Sequence, residues 1–238
     1  MTTQSQPIDL YYTGTPNGRK ITIMLEELGV PYTIHPINIG KGDQFTPEFL
    51  AISPNNKIPA IVDPEGPDGQ PISIFESGAI LKYLAEKFGK FYGKSTHERV
   101  KIDEWLFWQV GGFGPMLGQA NHFVRYAPEK VPYAVKRYTD EATRLYRVLN
   151  TQLAAQAEKG RNYVAGEDFS IADIAILDWS RGAESLGIDV TAFPAFTAWR
   201  TRVSERPATR KALDLVVETN PTNLATDKDA QKVLFNQR

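Results

Sequence analysis

No cysteine occurs anywhere in the 238 residues. That absence excludes disulfides, thiolate metal sites and any mechanism that passes electrons through a thiol of the protein itself. If sulfur chemistry takes place here, the substrate must bring the sulfur. Histidine is nearly as scarce, with only His35, His97 and His122, so a histidine-built metal centre is not expected and no metal is assigned. Charge of one sign is also missing: 27 Lys and Arg against 28 Asp and Glu leave a net charge of -1. A general nucleic-acid surface would show a basic excess. The basic residues between Lys130 and Arg147 alternate with Asp140 and Glu141 and read as solvated helix faces. No apolar run approaches the roughly 20 residues that span a membrane, and no basic-flanked apolar run marks a targeting segment. The expectation is a cytoplasmic protein, with neither membrane nor nucleic acid as a partner.

What is present is an ordinary apolar fraction, 42%, in a chain long enough for two compact domains. "IDLYY" reads as a strand, and "PNGRKITIMLEELG" as a helix whose Ile21, Met24, Leu25 and Leu28 form one stripe and whose Gly29 ends it. "PYTIHPIN" is a second strand, placed at an edge by Pro36, and "TPEFLAISP" holds a short helical turn. "PAIVD" and "PISIFE" are two more strands joined by a Pro- and Gly-rich turn, and a helix starts near Ser77. The order βαβ, then ββα, predicts a small mixed sheet with packed helices over residues 1–90. Helical periodicity dominates afterwards. A strong helix is expected from "THERV" onward, bent or loosened at "GGFGP". A long one follows through "VPYAVKRYTDEATRLYRVLNTQLAAQAEKG", and shorter ones at "FSIADIAILDWS" and "FPAFTAWRTRVSERP". The fold class expected is α/β followed by all-α, with the helical domain over 96–238 and "EKFGKFYGKS" as linker. Patterning weakens after about 217, where the chain is expected to wrap the surface or move.

Four stretches could carry chemistry. At "TGTPNGRK" a helix start leaves backbone N–H groups unpaired, which favours an anion nearby. Thr15 and Asn17 can donate hydrogen bonds there but cannot serve as bases. The plainer alternative is that one of them only caps the helix and that Gly14 and Gly18 serve the turn. At "NNKIPAIVD", Pro59 precedes a strand that looks central. A cis bond there would offer the Ile58 backbone to an extended ligand, although an ordinary trans proline is the commoner case. At "FESGAI", Glu76 could meet an ammonium and Ser77 a carboxylate, together suiting the zwitterionic end of an amino acid. A solvated Glu and a capping Ser would look the same. Lys57 and Gln44 could meet a second carboxylate. "SIADIA" is read as a folding element: Ser170 and Asp173 have capping-box spacing, and Ile171, Ile174 and Leu177 suit one buried face. Trp105, Phe107 and Trp108 read as core, whereas Met116, His122, Phe123 and Tyr126 are weaker candidates for a site wall. Arg137 is long enough to reach an anion from its helix, yet as a lone residue it reads as surface.

In combination, "NNKIPAIVD", "FESGAILKYLAEKFG" and "FSIADIA" resemble the cytosolic glutathione transferase superfamily. "TPNGRKITIMLEELG", "IGKGDQFTPEFLAISPNNKIP" and "WLFWQVGGFGPMLGQANHF" are similar more specifically to its bacterial Nu class, a group related to the yeast Ure2 proteins. The resemblance runs from about residue 8 to 215. It implies a thioredoxin-like N-terminal domain, a helical C-terminal domain and a homodimer. It also implies glutathione bound along the first domain, beside Ile58 and a cis Pro59. The glutamyl end would lie near Glu76 and Ser77, and the glycyl carboxylate near Lys57 or Gln44. The Tyr, Ser or Cys that many members carry near the end of the first strand is replaced by Thr15 and Asn17, as in the Nu pattern. Members of that class accommodate two glutathione molecules, or one glutathione disulfide, per subunit, and Arg137 is the candidate contact for the second.

The resemblance therefore implies a glutathione-dependent disulfide-bond reductase in which a bound glutathione thiolate opens the disulfide, with no covalent protein intermediate. Three alternatives stay open at this point: a transferase that conjugates electrophiles, a weak reductase of organic hydroperoxides, and a non-catalytic glutathione-binding regulator.

Overall fold

The computed structural model describes residues 4–217 and 227–235. The chain divides into two compact units. One runs up to Phe88 and includes the described residues from Lys211 on; the other is Gly89–Arg210. The expected helical domain reaching residue 238 thus differs from the structure at its end.

In the first unit, β1 (Ile8–Tyr12), β2 (Tyr32–Pro36), β3 (Ala60–Asp63) and β4 (Ile72–Phe75) form one sheet in the order β2-β1-β3-β4. β1 and β2 are parallel, and β3 runs antiparallel to β1 and β4. Pro36 ends an edge strand, where its missing N–H costs no ladder bond. Ile8, Leu10 and Tyr12 alternate into the core with no exposure. The opposite side of β1 carries Tyr11, which stacks on His35 and packs with Phe49. The cluster of Ile37, Phe49 and Ala60 covers that side, joined by Tyr11, Ile39, Ile52 and Ile58.

Helix α1 (Pro16–Leu28) begins with proline inside its first turn and ends at Gly29, whose φ of 70° is the left-handed cap conformation. Its first turn lies close over β1. A Cβ on Gly18 would sit 2.2 Å from the Thr13 carbonyl oxygen, so only glycine allows the helix start to dock there. The short α2 (Pro47–Leu50) is capped by Thr46, and α3 (Ser77–Phe88) packs against α1.

Asp63, fully buried at the far end of β3, accepts hydrogen bonds from Lys87, the Tyr83 hydroxyl, Gln4 Nε2 and the Glu65 N–H. Burial pushes its carboxyl up, but these four donors outweigh it and hold the group below the ordinary value. The stability this adds is fully present above the ordinary carboxylate value and is lost as pH falls through the lowered folded value. Asp63→Asn should therefore cost about 2 kcal/mol at neutral pH. Its urea-unfolding free energy should converge on that of the parent as pH drops from about 6 to 2.

The second unit contains α4 (Thr96–Trp108), α5 (Gly114–Asn121), α6 (Pro132–Ala157), α7 (Ile171–Ser180) and α8 (Pro194–Ser204). The expected loosening at "GGFGP" is a π-helical turn, Gln109–Phe113, and a second such turn spans His122–Tyr126. Ser95 and Glu98 form a capping box at α4. The core closes around Tyr146, whose ring meets Phe113, Phe193 and Phe196 and whose hydroxyl donates to the Ser180 carbonyl at 3.0 Å.

Two readings of this unit need correcting. Helix α7 is buried all round from Ile171 to Asp178 rather than along one face, because neighbours enclose it completely. Phe107 is exposed to 61% rather than core, because the inward stripe of α4 runs through Ile102 and Leu106. Trp105 and Trp108 are half-buried and meet edge to face.

The division between the units falls within α9 (Pro207–Leu213). Beyond it, Lys211 pairs with Glu26 of α1 at 2.7 Å. Residues 218–226 and 236–238 lie outside the described residues, and with them most of the expected surface-wrapping tail. The remaining piece is a helix, α10 (Lys228–Phe235), started by Asp227, whose carboxylate accepts from the N–H groups of Asp229 and Ala230. Ala230 is buried, and Val233 Cγ1 lies 3.6 Å from where a side chain on Gly42 would begin. Among the described residues, no helix is long and apolar enough to cross a membrane.

Candidate functional site

Strand pairing puts most of the predicted residues at one end of the sheet. Tyr11 opposes Ala60, which opposes Phe75, and Tyr12 lies beside Pro36. The exits of β1, β2 and β4 and the entrance of β3 therefore share one edge. From that edge emerge the Thr13–Thr15 turn into α1, the loop carrying Gln44, the segment Lys57–Pro59 and the Glu76–Ser77 turn. Arg137 stands exposed on α6 in the other unit, where it reinforces the hydrogen bond from Arg144 that holds the Glu141 carboxyl below its usual value.

Thr15 is the N-cap of α1, with extended backbone angles and its Oγ1 accepting from Gly18 N at 3.3 Å. The capping alternative thus holds for Thr15, whose hydroxyl hydrogen still has a direction to donate. Asn17, half-buried at the second helical position, places an amide at the positive end of the helix. Thr13 Oγ1 donates to the Ile37 carbonyl and ties this turn to the exit of β2. Arg19 extends back over the turn, its Nη2 3.6 Å from where a Gly14 side chain would begin.

The Ile58–Pro59 peptide is cis. Pro59 is buried, Ile58 half-buried and Lys57 exposed. Ser53 Oγ donates to the Lys57 carbonyl at 2.8 Å and fixes the approach to β3. Gln44, 4% exposed, gives Nε2 to the Ile39 carbonyl at 3.1 Å, while its Oε1 is buried with no partner. A buried orphan acceptor of this kind is what an incoming N–H would satisfy.

Glu76 is exposed and has a φ of 70°, uncommon for a residue with a side chain and concentrated at functional turns. Its carbonyl accepts from Ile80 N, and its Oε1 lies 3.5 Å from Asn55 Nδ2. Ser77, 6% exposed, begins α3 and is met from below by Lys20, whose Nζ lies 3.1 Å from Ser77 Oγ. Lys20 is 1% exposed. Burial pushes its ammonium down to about 7, with the negative charge of Glu76 pulling the other way.

Sequence reasoning passed over Lys20 and Arg19, although both stand in the stretch that drew attention first. A lysine on an amphipathic helix is ordinarily solvated. The available signal was phase: Lys20 sits one turn before Met24, on the border of the apolar stripe.

Assembled, this end of the sheet holds a helix N-terminus with hydrogen-bond donors and an orphan acceptor. It also holds an exposed carboxylate next to a serine backed by a buried amine. It suits a ligand with a zwitterionic head, a peptide N–H and a group that becomes anionic. A γ-glutamyl tripeptide with a thiol carries all three.

Known proteins point the same way. A family model described as "Glutathione S-transferase, N-terminal domain" matches residues 15–87, and one described as "Glutathione S-transferase, C-terminal domain" matches residues 116–207. A disulfide-bond oxidoreductase of Escherichia coli, YfcG, is 53% identical over 207 residues, covering 87% of this chain and 94% of its own. A glutathione transferase family member from Pseudomonas fluorescens, crystallised with two glutathione bound, is 42% identical with a TM-score of 0.81, over 88% of this chain and 93% of that one. A glutathione transferase from Pseudomonas putida, with one glutathione disulfide bound per subunit, is 40% identical with a TM-score of 0.82, over 91% and 94%.

Proposed function

We infer that this chain, which belongs to the glutathione S-transferase family, reduces disulfide bonds with bound glutathione as the electron donor. The observation that carries the reading is the absence of cysteine from a chain so similar to a disulfide-bond oxidoreductase. With no protein thiol to relay electrons, the attacking sulfur belongs to a bound ligand.

Glutathione supplies a thiol that, once ionised, displaces R–S⁻ from a mixed disulfide R–S–S–G. The product is glutathione disulfide, and the released thiolate takes up the proton. The residues of the chain hold and orient. Thr15 and Asn17, at the start of α1, donate hydrogen bonds that favour a thiolate over a thiol. The backbone of Ile58, ahead of Pro59, pairs with the extended peptide. Glu76 meets the ligand ammonium and Ser77 its glutamyl carboxylate. Lys57 and Gln44 serve the glycyl end, where the orphaned Gln44 Oε1 supports a contact with a ligand N–H. Arg137 serves the second glutathione, or the second half of a glutathione disulfide, an arrangement supported by the solved relatives that hold two glutathione or one disulfide. Holding both sulfurs in line makes the exchange a proximity effect.

The working unit is a homodimer, supported by the exposed Val100 and Phe107, seven residues apart on one face of α4. It acts in the cytoplasm, where reduced glutathione supplies the donor.

The test is a comparison of two assays with purified protein: reduction of 2-hydroxyethyl disulfide by glutathione, followed by coupled NADPH oxidation, and conjugation of an aryl halide. The reading expects kcat/KM at least about 100-fold higher for the disulfide, a difference of some 2.7 kcal/mol in transition-state stabilisation. The reverse order would make the protein a conjugating transferase, and no turnover of either would make it a glutathione-binding regulator.

A further inference from the structure

Helix α10 belongs to the first unit although it lies near the end of the chain. It falls beyond the stretches that the two family models match, 15–87 and 116–207, so the family assigns it no role. Ala230 is buried, and Val233 and Leu234, three and four residues on, are half-buried, which puts them on one docked face. Lys228, Asp229 and Lys232 are exposed away from it. That face meets a particular loop. Val233 Cγ1 stands 3.6 Å from where a side chain on Gly42 would begin, and Phe45 Cδ2 stands 3.5 Å from the same point. The bare backbone of Gly42 is thus a notch flanked by both side chains.

Gly42 lies in the loop that carries Gln44, and that loop is braced from within. The Asn38 carbonyl accepts from the N–H groups of Lys41, Gly42 and Asp43, and Asn38 Oδ1 accepts from those of Gly40 and Lys41. The Asp43 carboxylate accepts from Asn38 N at 2.8 Å. Gln44 Nε2 is spent on the Ile39 carbonyl, which fixes the direction of the orphaned Oε1. A loop tied in this way shifts as one piece, so a contact at Gly42 bears on Gln44 two residues later. We propose that Val233 is a positioning residue for the glycyl end of the ligand: seated against Gly42, it holds the loop in the arrangement that presents Gln44. This rests on the placement of the glycyl end at Gln44. The glutamyl end is met at a different junction, between β4 and α3, so loss of the Val233 contact should weaken the glycyl end alone. Linkage makes the effect reciprocal: if the docked helix favours the ligand, the ligand favours the docked helix to the same degree.

The experiment uses the full-length protein and two ligands: glutathione, and γ-glutamylcysteine, which lacks the glycine. Dissociation constants come from calorimetry, and kcat and KM from the disulfide assay. The parent should prefer glutathione by about 100-fold, because the shorter ligand leaves Gln44 unmet. Val233→Asn, a neutral polar group in the contact, should reduce that preference to about 10-fold through weaker glutathione binding. The affinity for γ-glutamylcysteine should change less than about 2-fold, and KM for glutathione should rise about 10-fold with kcat held within about 2-fold. Val233→Ile should keep the parent's preference. Ala230→Gln, a second neutral change on the docked face, should match Val233→Asn and carries the test if that variant fails to fold. In the parent, hydrogen-exchange protection across α10 should rise about 10-fold at saturating glutathione and stay level with γ-glutamylcysteine.

Equal weakening of both ligands by Val233→Asn and Ala230→Gln, with the preference intact, would reduce α10 to a packing role and overturn the proposal. So would a preference kept at full strength in both variants, or α10 amides indifferent to glutathione. If the parent itself bound both ligands alike, the placement of the glycyl end would be wrong, and the failure would belong to that reading of the site.

Discussion

Asp173→Ala should cost the helical unit about 3–5 kcal/mol of folding free energy, the loss expected when several buried hydrogen-bond donors lose their shared acceptor. Its carboxylate has no solvent exposure and accepts from four donors: Val164 N at 3.0 Å, Ser170 N at 3.1 Å, Ser170 Oγ at 3.0 Å and Trp199 Nε1 at 2.8 Å. It thereby joins the start of α7, the segment leading to it and α8. Alanine leaves all four donors buried and unmet, and each pays its own desolvation cost. Asp173→Asn keeps the shape but turns an N–H₂ group toward donors, so it should lose nearly as much. Urea unfolding followed by tryptophan fluorescence measures the loss. A midpoint shift equivalent to less than about 1 kcal/mol would show that Asp173 is an ordinary helix cap.

Asn17→Ala should lower kcat for disulfide reduction about 10- to 100-fold while changing glutathione affinity by less than about 3-fold. The reason is differential binding. Lowering a thiol pKa by about two units requires roughly 2.7 kcal/mol in favour of the thiolate. A hydrogen bond to a charged acceptor, helped by the helix end, is of that order. Thr15 is the rival donor, but its Oγ1 already serves as the cap, accepting from Gly18 N. Thr15→Ala should therefore lose about 1 kcal/mol of stability along with activity. Undiminished turnover in Asn17→Ala would assign the thiolate to Thr15.

Much of the first unit was legible because local chemistry and tertiary role agree there. Pro16 and Gly29 bracket α1 and Pro36 marks an edge strand; in the second unit, Ser170 and Asp173 likewise spell a capping box that the structure contains. The candidate residues at the sheet end could be named because each lies at a junction between elements, where a strand hands over to a helix. Lys20 could not be read in the same way. Its environment is made by α3, 57 residues away, and nothing near it in sequence shows that its ammonium is enclosed. The same limit applies to α7, where Ala172, Ala175 and Ile176 are buried only because other helices surround them. It applies in reverse to Phe107, an aromatic residue that the phase of α4 leaves outside. The π-helical turn at Gln109–Phe113 was legible as a disturbance, since two glycines and a following proline weaken the α-helix, but not as a particular geometry.

The central claim is that a chain without a thiol catalyses thiol–disulfide exchange by holding the ligand's sulfur as a thiolate. The most direct measurement is a single-turnover reaction, with the protein in excess over a glutathione mixed disulfide R–S–S–G at saturating glutathione. The account predicts that release of R–SH accelerates with protein concentration to a plateau, yielding one glutathione disulfide for each R–SH. Release at the same rate with and without the protein would contradict it.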